Sequence, residues 1–208
     1  MIELLVYTTS GIGAAYCLWQ LAEGNRGRQV ERIQIDLIPY DMHAYNVRSR
    51  ISESQWRKVA QITHQAASRT KDPDQYRCEI CGERGDEQKP YRPHPVECHE
   101  LWEFDAEERI QRLAGLLSIC PACHRVYHFG KATADGYEEQ TKVHLMKVNK
   151  LSEGEADTYV EQARDTVRAR KGVWQLDLTY LNRPEFAFLN TKFTNNERWN
   201  CKVTGNNH

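Results

Sequence analysis

A chain of 208 residues with 40% hydrophobic residues can bury a core of its own, in one domain or in one domain plus a small appendage. Its formal net charge of -1 excludes a global attraction to nucleic acid, so any basic surface must be local. Seven cysteines, an odd number, argue against a closed disulfide framework and fit a reducing cytoplasm.

Residues 4–22 carry no charge, but Glu3 replaces a basic leader, and Thr8, Thr9, Ser10, Gly11, Gly13 and Gln20 dilute the apolarity. No membrane segment is expected there. The stretch reads as a strand, a turn at Ser10-Gly11-Ile12-Gly13 and a helix over 14–23. Such a turn can cradle phosphate, although a lone G-x-G serves simple packing equally well. Residues 1–29 form an N-terminal extension, 30–182 the main domain, and 183–208 a loosely packed tail rich in Asn, Thr and Lys.

Within the main domain, Ile33, Ile35 and Leu37 alternate with polar residues, which predicts a half-buried strand ending at Pro39. Ser52 with Gln55 makes a capping box for a helix to about Ser68. Arg48, Arg50, Arg57 and Lys58 cluster around its start, either as phosphate contacts or as a solvated face. Residues 70–76 are a linker, and 82–95, with Arg92 and His94, a loop rich in Gly, Pro and charge. Residues 96–104 read as a strand. Asp105 with Glu108 then predicts a capped helix to about Leu117, with Ile110, Leu113 and Leu117 on one face. A further helix spans 121–129 and stops at Gly130. Asp135-Gly136 marks a turn before a helix over 137–148, where His144 reads as packed or exposed rather than as a ligand. Ser152 and Glu155 box a helix to about Arg170, whose basic end suits the helix dipole. Trp174, Leu176, Leu178 and Leu181 suggest a closing strand beside 33–37.

The chemistry concentrates in residues 78–130. Cys78-x-x-Cys81 and Cys120-x-x-Cys123 are two pairs whose two-residue spacers let both thiolates of a pair face one ion, the donor pattern of a structural zinc. Such a site contributes about 10–16 kcal/mol of apparent binding energy, comparable with the whole stability of an ordinary domain. His124 and His128, spaced i, i+4, share one face of a helix, and His99 on the preceding strand offers a third imidazole. Three protein ligands would leave an ion an open position for water or substrate. The alternative is that His124 and His128 are surface histidines beyond a zinc knuckle.

The order C-x-x-C, Glu97-Cys98-His99-Glu100, then C-x-x-C-H-x-x-x-H resembles the HNH nucleases of the ββα-metal, or treble-clef, superfamily. It is most similar to the bacterial subgroup that carries a four-cysteine zinc. Asn46-Val47-Arg48-Ser49, Trp56-Arg57 and Trp174-Gln175-Leu176-Asp177 also resemble that subgroup. The resemblance implies an α+β fold with a treble-clef zinc module embedded in flanking helices and a small sheet. It implies phosphodiester hydrolysis in DNA, with RNA left open, by one Mg2+, Mn2+, Ni2+ or Zn2+ ion at His99, His124 and His128. Arg48, Arg50, Arg57, Lys58, Arg92 and Arg125 become candidate nucleic-acid contacts. Two positions depart from the family: Glu100 stands where a His activates water, and Gly115 where an Asn braces the loop. Glu100 can act as a general base if its pKa is lifted, or it can close the site as a fourth ligand. The alternative to an endonuclease is a degenerate treble clef that binds nucleic acid or protein without cutting.

Overall fold

A computed structural model describes residues 32–38, 42, 46–84, 96–172 and 174–197. The readings made for residues 1–29, for Arg92 and His94, and for Cys17 and Cys201 lie outside them. The described chain is α+β, with a three-stranded sheet in the order β1 (Glu97–Asp105), β2 (Ile110–Ile119), β3 (Gln175–Asp177). Helix α1 (Glu53–Ser68) precedes the sheet. Helices α2 (Pro121–Tyr127), α3 (Phe129–Ala134), α4 (Glu138–Asn149) and α5 (Glu153–Ala169) lie between β2 and β3. No helix among the described residues is long and apolar enough to cross a membrane.

The two capping boxes form as read: Ser52 with Gln55 opens α1, and Ser152 with Glu155 opens α5. The span expected as a helix from Asp105 to Leu117 is instead the turn and second strand of a hairpin. The Asp105 carboxylate accepts the backbone N–H groups of Glu107 and Glu108, and Arg109 at φ 56° reverses the chain. β2 is the central strand and carries apolar side chains on both faces, so its alternation is lost. A buried two-sided strand of this kind looks like a helix face when only spacing is considered. A bulge after Leu101, which pairs with Gly115 while Trp102 pairs with Leu113, leaves Ala114 unpaired and breaks the period again.

The sheet separates two apolar layers. Leu117, Ile119, Val126, Tyr127, Phe129, Leu145 and Val160 pack with Ile33 on one side. Trp102, Leu113, Val47, Val59, Leu176 and Phe186 pack on the other. Residues 33–38 lie in the first layer but join no strand. Asn149 takes the backbone N–H and C=O of Ile33 at 2.8 and 2.9 Å, and Tyr127 C=O accepts from Asp36 N–H. The closing strand shrinks to Gln175–Asp177 and pairs parallel with β2 rather than with 33–37. Gly130 does not stop the metal-bearing helix. The break comes at His128, with φ -97° and ψ 43°, and Gly130 sits inside α3 where a Cβ would meet Leu37 Cδ2 at 3.4 Å.

The segment after Asn182, expected to be loose, is packed as far as residue 197. Phe186, Leu189 and Phe193 are buried. Asn182 clamps the backbone of Phe193 through both amide atoms at 2.9 Å, and Glu197 N–H donates to Leu176 C=O at 2.8 Å. The apolar positions 186, 189 and 193 cover the second layer, which the short sheet alone leaves open. Phe186→Ala should therefore cost about 3–5 kcal/mol in urea unfolding, against less than about 0.5 kcal/mol for a side chain in a loose tail.

Candidate metal centre

The first cysteine pair is placed by a tight turn. Gly82 N–H donates to Cys78 C=O at 2.9 Å, and Gly82 takes φ +73°, a conformation that glycine adopts without strain. The turn docks on the end of β2: Glu79 N–H donates to Ser118 C=O at 2.9 Å, and Ser118 N–H to the Glu79 carboxylate at 2.6 Å. The second pair opens α2, where Pro121 occupies the first turn and Cys120 Sγ accepts Cys123 N–H at 3.4 Å. All four Sγ atoms lie within 4.8 Å of one another, with Cys81 and Cys120 at 3.7 Å. Thiolates about 2.3 Å from a tetrahedral ion stand about 3.8 Å apart, so the donor set can hold a metal ion and suits zinc. Hydrogen bonds from Cys120 and Cys123 hold the Cys78 thiol far below its ordinary range and bring Cys81 to about 7. Cys123 is pushed up, by Cys120 first. Crowded thiols that cannot all ionise unaided are what a divalent cation resolves. His144, read as packed or exposed, places Nε2 3.2 Å from Cys123 Sγ, within hydrogen-bond reach of a candidate ligand. Nothing in local spacing signals it, because the contact spans 21 residues.

The three histidines converge on the outer edge of β1. His99 is buried, and its ring packs on Tyr127 at 4.3 Å and stands 5.1 and 5.0 Å from the rings of His124 and His128. One nitrogen of each imidazole lies within 4.8 Å of the others. His99 Nε2 is buried with no hydrogen-bond partner, a state that costs about 1–3 kcal/mol unless a further group satisfies it. Burial first, then the neighbouring His128 and His124, hold the His99 pKa well below the ordinary histidine value, so it stays a neutral lone-pair donor. The Glu97 carboxylate lies 2.5 Å from His124 Nδ1. That contact puts the ring proton on Nδ1 and leaves Nε2 to coordinate. The sequence reading assigned Glu97 no such role. An orphaned buried nitrogen and an oriented imidazole are what a three-histidine metal site requires, and these residues fit one.

Glu100 is not part of this cluster. Adjacent strand residues point to opposite faces, and its carboxylate turns toward the other wall, where Oε1 accepts Val47 N–H at 2.8 Å. Burial lifts its pKa to about 7, against the lowering effects of the Val47 N–H and the Arg48 charge. Gly115 lies within β2 opposite Leu101 and brings no side chain to the site. Cys98 belongs to neither cluster, and burial pushes its thiol up to about 12.

A cleft of about 590 Å3 joins the two walls, lined by the three histidines, Glu97 and Glu100 together with Asn46, Arg48, Trp56 and Trp102. Of the candidate nucleic-acid contacts among the described residues, Arg48 lines it and the others do not. Arg50 turns inward to Glu197 C=O, Arg57 pairs with Glu53 at 3.4 Å, Lys58 lies over the Phe188 ring and Arg125 over the Tyr137 ring.

Purified protein should carry one tightly held zinc, and a Ser in place of any of Cys78, Cys81, Cys120 or Cys123 should remove it and unfold the centre of the chain. Elemental analysis and far-UV circular dichroism check this. A second, weaker ion should bind the histidines and leave first on acidification, because ligand imidazoles must be neutral while the four-thiolate site persists to lower pH. Calorimetric titration should find that ion lost in His124→Ala and in His128→Ala.

No protein-family model matches the chain, and neither the curated proteins nor the solved structures contain a match. What the chain does is read from its two donor clusters and the cleft beside them.

Proposed function

We propose that the chain is a metal-dependent endonuclease of the HNH type, with β1, β2 and α2 as its ββα-metal module and DNA as its substrate. The observation that carries this reading is the set of three imidazoles at the rim of an open cleft, one with its buried nitrogen unsatisfied. His99, His124 and His128 would hold a divalent ion, whose Lewis acidity would stabilise the charge that develops at a scissile phosphate. Burial keeps His99 neutral, and Glu97 fixes the orientation of His124, so both imidazoles are ready as donors without reorganisation. Glu100 accepts the proton of the attacking water. A pKa of about 7 places a carboxylate where a general base works best, half-ionised near neutral pH. Arg48, at the same cleft, meets the phosphate backbone.

One observation favours a second reading, a binding protein that does not cut. Glu100 already spends Oε1 on the Val47 N–H, which is how a carboxylate that only pins a loop behaves. A plasmid-nicking assay with Mg2+, Mn2+, Ni2+ and Zn2+ separates the two. Wild type should nick with at least one metal and His99→Ala should not. Glu100→Gln should keep the second metal yet lower the rate by about 10²–10⁴-fold, the usual loss on removing a general base. Metal-loaded wild type that cuts neither DNA nor RNA would favour the binding reading over the nuclease.

A further inference from the structure

The cleft beside the histidines has two unlike walls, set by the alternation of β1. Among the described residues β1 pairs with β2 alone, so its other edge forms the floor. His99 faces α2 with His124 and His128. Glu100 and Trp102 face α1, where Trp56 lines the same cleft. Trp56 is partly exposed, and the Arg48 guanidinium lies 5.7 Å from its ring centroid. Arg48 is held there by Glu53 at 3.1 Å and is itself 58% exposed. One wall thus carries the three imidazoles, and the other carries the partly exposed Trp56 ring with the Arg48 guanidinium over it.

We propose that this cleft takes an unpaired nucleotide, its phosphate at the histidine wall and its base stacked at Trp56 and Arg48, so that the substrate is a single strand or a splayed, unpaired segment rather than an intact duplex. The inference rests on the nuclease reading and narrows its substrate. A base inside a duplex has both faces covered by its neighbours and cannot stack on a side chain, whereas an unpaired base offers its whole face. A cleft of about 590 Å3 has room for one nucleotide. Arg48 supports the placement twice, as a guanidinium that stacks on a base and as a charge that meets the phosphate.

The test is fluorescence anisotropy with full-length, Mn2+-loaded protein and two labelled probes, oligo(dT) and a blunt hairpin duplex, both with phosphorothioate linkages that resist cleavage. Oligo(dT) should bind about ten-fold or more tightly than the duplex, and Trp56→Leu should weaken oligo(dT) binding by about five-fold to about a hundred-fold. Trp56→Phe, which keeps a ring face, should stay within about three-fold of wild type, and both variants should retain wild-type zinc content. Leu fills the packing space without a ring face, so loss in Leu and retention in Phe marks stacking rather than damage to the fold. Equal or tighter binding of the duplex overturns the proposal, as does a Trp56→Leu protein that binds oligo(dT) like wild type. Plasmid nicking by wild type in the separate cleavage assay, without oligo(dT) binding here, overturns it while leaving the nuclease reading standing. No binding of either probe removes both.

Discussion

The structure depends on one clamp, the convergence of Cys78 and Cys81 with Cys120 and Cys123. These four residues come from a turn and a helix start that are 42 residues apart at Cys78 and Cys120, with Glu79 N–H donating to Ser118 C=O and Ser118 N–H to the Glu79 carboxylate beside them. Cys123 is followed at once by His124 and, four residues later, by His128. Whatever fixes the start of α2 therefore fixes both helix histidines. The same junction ends β2, whose pairing with β1 sets where His99 sits. A metal bound to the thiols would order the histidine cluster without touching it.

The second constraint is the pleat of β1. His99 and Glu100 are neighbours in sequence but belong to different layers of the molecule. His99 lies against Tyr127 and the helix histidines, and Glu100 lies against Val47 and the α1 layer. They meet again only at the open edge of the strand. The imidazoles and the carboxylate therefore stand on either side of a strand edge and line one cleft. Burial acts on the two groups in opposite senses, since it keeps an imidazole neutral by lowering its pKa and a carboxyl neutral by raising it.

Most of the fold's helices were legible because their signals are local. The Ser52–Gln55 and Ser152–Glu155 boxes, a helix-opening Pro121 and the C-x-x-C spacers act over three or four residues and form where they were read, whereas Asp105 with Glu108 closes a hairpin turn and not a helix. The ligand sets were legible for the same reason, except for the distance between His99 and the helix pair, which only the hairpin closes. The residues from 105 to 117 were misread because β2 is covered on both faces, and burial on both sides erases the alternation that identifies a strand. The chain after Asn182 was misread because polar composition near a terminus says nothing of three spaced apolar residues that a distant layer needs covered.

By itself the sequence determined which side chains make up the two candidate donor clusters, since donor type and short spacing are chemical facts independent of the fold. It also determined that Glu100 and Gly115 occupy the positions they do. Only the tertiary structure decided how those positions are used. It turned Glu97 toward His124 and His144 toward Cys123, and it gave the Glu100 carboxylate a backbone partner in Val47. It also set Trp56 and Arg48 across a cleft from the histidines. Each of these contacts joins residues 21 or more positions apart, and such a pairing depends on strand register and layer packing, which no local pattern encodes.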